Sequence, residues 1–280
     1  MAGKKRKGSK KKTHKTLRQV LILSAAIVLA FAGISGYTIS SYVKDYKAAK
    51  EKEAKENAVE TAKERLARVK KEAQEAEYPE KVIELLSKNP ETVEYVENYE
   101  KLKDSEPAET IGELTEGEIP QLIQWDKRWG YYQFGTSNIA ASGCGPTCMS
   151  MVVAGLTGDN TITPAKMSDI AMEKGAPYIT EDNSTTWAFI TEVCQEWGIS
   201  CSAVMVTDEQ LEESLNAGNV FVCNVGPGTF TEIGHYIVLA GYEDGKVIVH
   251  DPFNQKNSDS RWLYEDFQDE IKGMWVYKKL

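Results

Sequence analysis

The sequence has few side chains that titrate near neutral pH. Its 280 residues include three histidines and five cysteines. His14 lies in a basic N-terminal segment, so His235 and His250 remain for chemistry. No Cys-x-x-Cys pair occurs, which excludes the ligand spacing of zinc ribbons and of thioredoxin-like redox sites. Five cysteines do not make a disulfide scaffold in a chain of this length, although Cys194 and Cys201 flank a predicted helix end and could pair. We expect no metal and no cofactor.

The body of the chain lacks the excess of positive charge that a nucleic-acid-binding protein needs. Residues 1–18 hold nine of the 33 lysines and arginines and no acidic residue. The remaining residues hold 24 basic and 42 acidic side chains, which gives them a net charge of −18. An acidic body of this kind excludes nucleic acid as an expected partner.

Charged residues are absent from residues 19–43, which directly follow the basic segment. About 20 apolar residues span a bilayer, and flanking positive charge stays in the cytoplasm. We therefore expect a cytoplasmic tail at 1–18, a single transmembrane helix (a signal anchor) at 19–43, and the rest of the chain outside the cytoplasm. The alternative is a signal peptide cleaved after Ala30-Phe31-Ala32, which would secrete the body.

Glycine and proline are absent from residues 44–77, which favours a charged helical stalk. Apolar residues within 59–76 step by three and four, a short heptad pattern that would permit a weak coiled coil between copies of the chain. Residues 78–118 hold two short helical patterns and an acidic linker, so we predict a helical subdomain there. In residues 119–280 helical patterns precede mostly antiparallel strand patterns, which predicts one α+β domain.

A glycine-rich stretch surrounds Cys144. Pro146 suits the first turn of a helix, and the residues from Cys148 onward carry an apolar stripe at helical spacing. This places Cys144 at a helix N-terminus, where the helix dipole and free N–H groups favour the thiolate. Gly143 and Gly145 would allow unusual backbone dihedrals on both sides of the thiol. A buried structural cysteine before a core helix is the alternative interpretation.

Two polar residues flank a predicted apolar hairpin whose turn contains Asp244-Gly245. His235 opens its first strand and Asp251 ends its second strand. A two-residue turn would point the two side chains to opposite faces, whereas a three-residue loop, Glu243-Asp244-Gly245, would place them on one face. On one face, Asp251 could orient His235 as the base for a thiol. Taken alone, His235 is also explained as a core histidine and Asp251 as a turn former.

Three motifs together resemble the papain-like cysteine peptidases of family thirty-nine, relatives of the peptidases that trim double-glycine leaders from bacteriocin precursors. The motifs are Cys144-Gly145-Pro146-Thr147, Gly234-His235-Tyr236-Ile237-Val238-Leu239 and His250-Asp251-Pro252. The resemblance is closest to exported or membrane-attached bacterial members. It implies a papain-like α+β fold, with the nucleophile at a helix N-terminus in a helical half and an antiparallel β half. It also implies Cys144 as nucleophile, His235 as general base and Asp251 as orienting carboxylate.

The resemblance further implies a glutamine upstream of the cysteine that donates to the oxyanion. Gln124 fits best, with Gln121 and Asn138 as alternatives, and the backbone N–H of Cys144 would be the second donor. Because Gln124 lies twenty residues before Cys144, the aromatic segment between them must loop out. The residues expected to contact substrate are Trp125, Trp129, Gly143 and Gly234.

The sequence therefore predicts a membrane-anchored, extracytoplasmic cysteine peptidase. Its substrate would be a peptide or protein, cell-wall peptides included, cleaved through an acyl-enzyme. Leader trimming is not expected, since no transporter or nucleotide-binding motif accompanies the domain. One alternative is a non-catalytic module that binds peptide or cell wall in an aromatic-lined cleft formed by Trp125, Trp129, Tyr131 and Tyr132. The other is a thiol amidase or transpeptidase.

Overall fold

The computed structural model describes residues 60–115 and 117–280, together with Lys44 and Lys47. The predicted cytoplasmic tail, the transmembrane helix and most of the stalk lie outside these residues. Among the described residues, no helix combines the length and the apolar character needed to cross a membrane. The membrane anchor therefore remains a prediction.

Helices make up the first half of the described chain and recur between the later strands. The α-helices are α1 (Ala62–Glu75), α2 (Glu80–Lys88), α3 (Val93–Glu97), α4 (Tyr99–Leu102), α5 (Ile139–Ser142), α6 (Cys144–Thr157), α7 (Pro164–Lys174), α8 (Trp187–Glu192), α9 (Asp208–Asn216) and α10 (Gln255–Asp259). Threonine hydroxyls cap α7, α8 and α9 by accepting a backbone N–H from the first turn of each helix. Such caps explain why these helices begin where they do.

The strands form a two-stranded hairpin and a six-stranded antiparallel sheet. The strands are β1 (Gln133–Phe134), β2 (Ser137–Asn138), β3 (Ile199–Ala203), β4 (Val220–Val225), β5 (His235–Glu243), β6 (Lys246–His250), β7 (Arg261–Trp262) and β8 (Ile271–Lys279). The order in the large sheet is β3-β8-β4-β5-β6-β7. The predicted α+β class, with a helical half and an antiparallel half, is confirmed.

The two faces of the large sheet bury different sets of apolar side chains. One face borders a cluster that includes residues of α6, α7 and α8, and the other borders a cluster that includes residues of α9. Every residue of α6 from Gly145 to Leu156 is buried, so the helix is covered on all sides rather than along the single predicted stripe. The first turn of α6 is thereby fixed relative to the sheet.

The turn between β5 and β6 is the two-residue turn Asp244-Gly245. Both residues have positive φ, 52° and 76°, as a type I′ hairpin turn requires. Of the two turns that the sequence left open, the two-residue turn is therefore the one present, and the three-residue loop is wrong. In a regular ladder, this turn would pair Asp251 with Val238 and point its side chain away from His235.

A β-bulge at Ala240 corrects this register. Ala240 is an extra residue on β5 and shifts the ladder by one position. Val238 therefore pairs with His250 rather than with Asp251. The predicted outcome, Asp251 and His235 on one face, is thus reached through a bulge instead of through a longer loop.

The helices α1 to α4 pack against the rest of the compact unit formed by residues 62–280. Val69 and Ala73 lie on the face of α1 that was predicted to join copies of the chain, and each is 1% exposed. Both belong to a cluster with Leu85, Val96 and Tyr131. These two residues are occupied within the chain and do not support the predicted self-association through residues 59–76.

Candidate active site

Cys144 is the first residue of α6 and is half-buried. Burial raises the pKa of the thiol, but hydrogen bonding and charge from His235, together with the backbone N–H groups of Tyr236 and Gly145, outweigh it, so the pKa of Cys144 lies below its ordinary value. Cys148, one turn further on, is fully buried, and burial raises the pKa of that thiol. Of these two cysteines, Cys144 thus combines partial exposure with thiolate character, and Cys148 does not.

Gly143 and Gly145 are needed for close packing rather than for unusual dihedrals. Gly143 has a φ of −91°, and Gly145 is not among the glycines with positive φ. A Cβ on Gly143 would lie 2.5 Å from the side chain of Ile139, and a Cβ on Gly145 would lie 2.4 Å from Thr185 Oγ1. Both glycines therefore let neighbouring segments approach the start of α6.

His235 lies at the start of β5 and Asp251 directly follows β6. His235 Nε2 is 2.8 Å from Asp251 Oδ1, and the ring is 8% exposed. Because the carboxylate occupies Nε2, Nδ1 is the nitrogen left for the thiol of Cys144. His235 therefore interacts with the Cys144 thiol and is hydrogen-bonded to the Asp251 carboxylate.

Hydrogen-bond donors surround the Asp251 carboxylate, which is 0% exposed. Besides His235, Oδ1 accepts the backbone N–H groups of Phe253 at 2.8 Å and Asn254 at 3.1 Å, and Oδ2 accepts Asn257 Nδ2 at 2.7 Å. Burial raises the pKa of Asp251, but the charge of His235 and these hydrogen bonds outweigh it, so the pKa lies below its ordinary value. The carboxylate is ionised at neutral pH.

The two histidines that could act as a base differ in environment. Burial lowers the pKa of His235, but Asp251 and Cys144 outweigh it and raise the pKa of His235 to about 10. Burial lowers the pKa of His250 to about 4, so that ring is neutral. Only His235 can exist as an imidazolium beside a thiolate, the arrangement of an activated thiol nucleophile.

Gln124 lies between the two halves of the site. Its backbone N–H donates to Pro252 O at 2.7 Å, and its side-chain Nε2 donates to Ala140 O at 2.7 Å. The Ala140 carbonyl sets the orientation of the Gln124 amide, because in the flipped orientation the amide oxygen would face the Ala140 carbonyl oxygen. Residues 125–138 loop out as predicted, through turns and the β1–β2 hairpin. The alternatives fit less well, because Gln121 is exposed and Asn138 caps α5.

The four predicted substrate-binding residues have different environments. Trp129 is 1% exposed and packs in the core, so it cannot contact substrate. Trp125 is half-buried, and its indole N–H donates to Phe253 O at 2.8 Å; it packs in the cluster of the helices α1 to α4. Gly143 is buried, whereas Gly234 is exposed next to His235. Of the four, Gly234 alone is exposed, and it adjoins His235.

The other aromatic residues that suggested a cleft also have structural roles. Tyr131 stacks on Tyr95 with ring centroids 4.3 Å apart, and its hydroxyl donates to Tyr95 O at 2.9 Å. Tyr132 is half-buried and donates to Asp169. The observation that motivated a binding module is thus explained by packing between the helices and the domain.

A groove of about 460 Å³ with aromatic side chains in its walls was not predicted. Its walls include Trp187, Met205 and Trp275, and Trp187 is 52% exposed with its ring edge against Trp275. Trp187 lies two residues after Thr185, and Thr185 packs against Gly145 at the start of α6. The segment that packs on the thiol side of the site therefore leads into the groove.

Sequence reasoning missed Asn257, Phe253 and Thr185. A signal for Asn257 exists, because the side chain of Asn254 accepts its N–H and so caps α10 shortly after Asp251. That pattern predicts a helix start, but not that Asn257 turns back to the carboxylate. Thr185 has no local signal, since its contact with Gly145 joins distant parts of the chain.

Solved structures similar to this chain include three peptidases. A protein from Bacillus anthracis described as a C39-like peptidase has a TM-score of 0.41 and 15% identity, covering 59% of this chain and 96% of that one. The peptidase domain of Streptococcus ComA, a bifunctional ABC transporter of a quorum-sensing pathway, has a TM-score of 0.36 and 22% identity over 48% and 88%. A double-glycine-motif protease from an AMS/PCAT transporter, solved with its leader peptide, has a TM-score of 0.32 and 13% identity over 60% and 97%.

The comparison with family models covers more than half of the chain. No protein with a curated description matches the sequence. The model described as the Peptidase_C39 like family matches residues 117–279, a range that includes the thiol, the imidazole and the carboxylate described above. The chain belongs to the Peptidase_C39 like family, and it is a cysteine peptidase.

Proposed function

We propose that Cys144, His235 and Asp251 are the catalytic triad with which this protein hydrolyses peptide bonds. The observation that carries the proposal is the hydrogen bond from His235 Nε2 to the fully buried carboxylate of Asp251, together with the interaction of the same imidazole with Cys144 at the start of α6. Residue Cys144 is partly exposed, while the two groups that activate its thiol are buried. A nucleophile, its base and an orienting group are the parts that thiol acyl transfer requires.

The reaction follows from the protonation states of these groups. The Cys144 thiolate attacks the carbonyl carbon, and the resulting tetrahedral oxyanion collapses as His235 donates its proton to the leaving amine. Water then attacks the thioester, His235 takes up its proton, and the acid product leaves with the thiolate restored. Asp251 holds the imidazole by Nε2 and stabilises its charged form throughout.

Gln124 and the backbone N–H of Cys144 are the proposed oxyanion donors. Nε2 of Gln124 carries two hydrogens, one of which bonds to Ala140 O; the other is assigned to the oxyanion. Donors fixed before the reaction lower the barrier because they need no reorganisation as charge develops. The exposed backbone at Gly234 lets a substrate reach the imidazole.

The proposal includes a location. The uncharged run at residues 19–43, preceded by nine basic side chains, supports a membrane anchor with the peptidase domain outside the cytoplasm. Its substrates would then be exported peptides, surface proteins or cell-wall peptides. Protease treatment of intact cells should digest the domain, and alkaline carbonate should leave the chain in the membrane. Protection from protease would contradict this location.

The pH dependence of Cys144 alkylation tests the triad without a known substrate. An ordinary thiol has a pKa of about 8.5, so its alkylation rate reaches half of its plateau near that pH. The alkylation rate of Cys144 with iodoacetamide should reach half of its plateau at a lower pH. His235→Ala should move this half-point upward, because the imidazolium no longer stabilises the thiolate. Peptide mapping separates Cys144 from the other cysteines. A half-point at the ordinary value in the wild-type protein would contradict the proposal.

A second test addresses the reaction itself. Incubation with a mixed peptide library, read by mass spectrometry, should give new carboxyl termini that disappear in Cys144→Ala. Transfer of the acyl group to an added amine in preference to water would instead identify a transpeptidase.

A further inference from the structure

We infer that Asn89 and Glu91, in the helices that precede the family domain, are positioning residues that hold the orienting carboxylate Asp251 in place. This inference rests on the proposed triad and extends it to a part of the chain that the family model does not cover. The model begins at residue 117, whereas Asn89 and Glu91 lie between α2 and α3. The link between the two parts is residues 252–257, here called the Asp251 loop.

The inner side of the Asp251 loop faces the carboxylate. Phe253 and Asn254 donate their backbone N–H groups to Oδ1, and Asn257 donates its side-chain Nδ2 to Oδ2. The Phe253 ring also lies edge-on to His235, with centroids 6.4 Å apart. The loop therefore supplies every donor to Asp251 described above other than His235, and any change in its position alters the bond to the imidazole.

The outer side of the same loop is bonded to the helical segment. Asn89 Nδ2 donates to Phe253 O at 2.6 Å, and Glu91 Oε2 accepts the backbone N–H of Gln255 at 2.8 Å. Phe253 thus contacts Asn89 through its carbonyl and Asp251 through its N–H. One residue separates the helical segment from the catalytic carboxylate.

Asn89 and Glu91 are themselves fixed. Asn89 is 2% exposed, and its Oδ1 accepts the backbone N–H of Glu91 at 3.0 Å while its Nδ2 reaches Glu91 Oε2 at 3.3 Å. The segment that carries them is anchored by the cluster of the helices α1 to α4. A buried amide whose donors and acceptor are all used has one orientation, so it can set the position of its partner.

The geometry assigns the helices a role in the reaction rather than in folding alone. A shift of about 1 Å in a catalytic group costs on the order of 10²-fold in rate. Loosening the Asp251 loop would weaken the bond to His235, and the imidazolium would then stabilise the Cys144 thiolate less. Asp251 and Cys144 are the ionisable groups that interact with His235 and favour its charged form.

The experiment measures Cys144 alkylation by iodoacetamide against pH in the full-length protein and its variants. Asn89→Asp keeps the acceptor for the Glu91 N–H but removes the donor to Phe253 O. Glu91→Ala removes the acceptor for Gln255, while Glu91→Gln keeps an acceptor and removes the charge. Glu97→Gln is the matched control, because Glu97 bonds Arg65 and Arg68 in the same segment.

We expect Asn89→Asp and Glu91→Ala to move the half-point of alkylation upward by about one pH unit, which is about tenfold in rate below the half-point. Glu91→Gln and Glu97→Gln should keep the wild-type profile. A variant that only lowers the folded fraction would add a component with the half-point of an ordinary thiol and leave the half-point of the folded protein unchanged. The thermal midpoint of each variant is measured alongside.

Three outcomes would overturn the inference, and the last, in which the triad fails as well, is distinguishable from the first two. If the wild-type half-point is low and Asn89→Asp and Glu91→Ala share it, the helical segment does not position Asp251, although the triad stands. The same holds if Glu97→Gln shifts the profile as much as they do. If the wild-type protein itself alkylates like an ordinary thiol, the proposed triad fails and this inference fails with it.

Discussion

Cys144 and Asp251 lie on two sides of one imidazole but are held in different ways. Cys144 begins a helix that is buried on every side, and two glycines let other segments press against its first turn. Asp251 precedes an irregular loop, and donors along that loop hold its carboxylate. The thiol side is thus fixed by contact of apolar surfaces, and the carboxylate side by directed hydrogen bonds.

The two means of support fail under different changes. A packed site tolerates loss of a polar group but not added volume, because its neighbours cannot move apart without cost. A hydrogen-bonded site tolerates small changes of volume, but removing one partner leaves buried polar groups unsatisfied. Substitutions on the two sides should therefore separate loss of chemistry from loss of stability.

The largest effect is expected from Asp251→Ala. It removes one partner of a buried ion pair and should lower the free energy of unfolding by about 3–5 kcal/mol. Cys144→Ser should abolish hydrolysis, yet lower the free energy of unfolding by less than about 1 kcal/mol. Urea unfolding at pH 6 measures both. Equal losses of stability in the two variants would contradict the contrast between the sides.

The contribution of the Asp251–His235 pair to the free energy of unfolding should depend on pH. The pKa of Asp251 is lowered in the folded state, so its contribution is present above its unfolded pKa of about 4 and is lost as pH falls through the folded pKa. The pKa of His235 is raised to about 10, so its contribution is full below about pH 6.5. It is lost as pH rises toward 10. The gap in stability between wild type and Asp251→Ala should be widest between about pH 4 and 6.5.

The sequence predicted the parts of the site that local patterns encode. Pro146 after a glycine and before an apolar run predicts a helix start, and the structure begins α6 at Cys144. Strand patterns placed His235 and Asp251 at the two ends of one hairpin, as observed. The bulge at Ala240 was not predictable, because an alanine within an apolar strand carries no signal of an extra, unpaired residue.

The sequence did not predict contacts between distant segments. The cluster of tryptophans and tyrosines before Cys144 suggested an open cleft, but Trp129 is in the core and Tyr131 packs on α3. Aromatic composition does not distinguish a surface that binds a ligand from a surface that binds another part of the same chain. For the same reason the heptad pattern in α1 suggested another copy, although its partner is the rest of the helical segment.

A smaller effect is expected on the packed side from Gly145→Ala. The added Cβ would lie 2.4 Å from Thr185 Oγ1, and overpacking of this kind costs about 1–3 kcal/mol. Thr185→Gly in the same chain removes the colliding side chain, so the double variant should recover stability and Cys144 alkylation relative to Gly145→Ala. The coupling in a double-mutant cycle measures this. Strictly additive effects would mean that Gly145 is needed for another reason.

The smallest effect is expected from Trp187→Ala, which compares two neighbouring residues on the thiol side, Thr185 and Trp187. Thr185 packs on the start of α6, but the ring of Trp187 lies half-exposed in the groove beside Trp275. Removing an exposed ring that contacts substrate should cost about 1 kcal/mol, or about fivefold in KM. Cys144 alkylation should stay at the wild-type rate, because no bond to the thiol changes. Once a cleaved peptide is in hand, a rise in KM at constant kcat would assign the groove to substrate binding. A fall in alkylation would instead show that Trp187 supports the packing of Thr185 against Gly145.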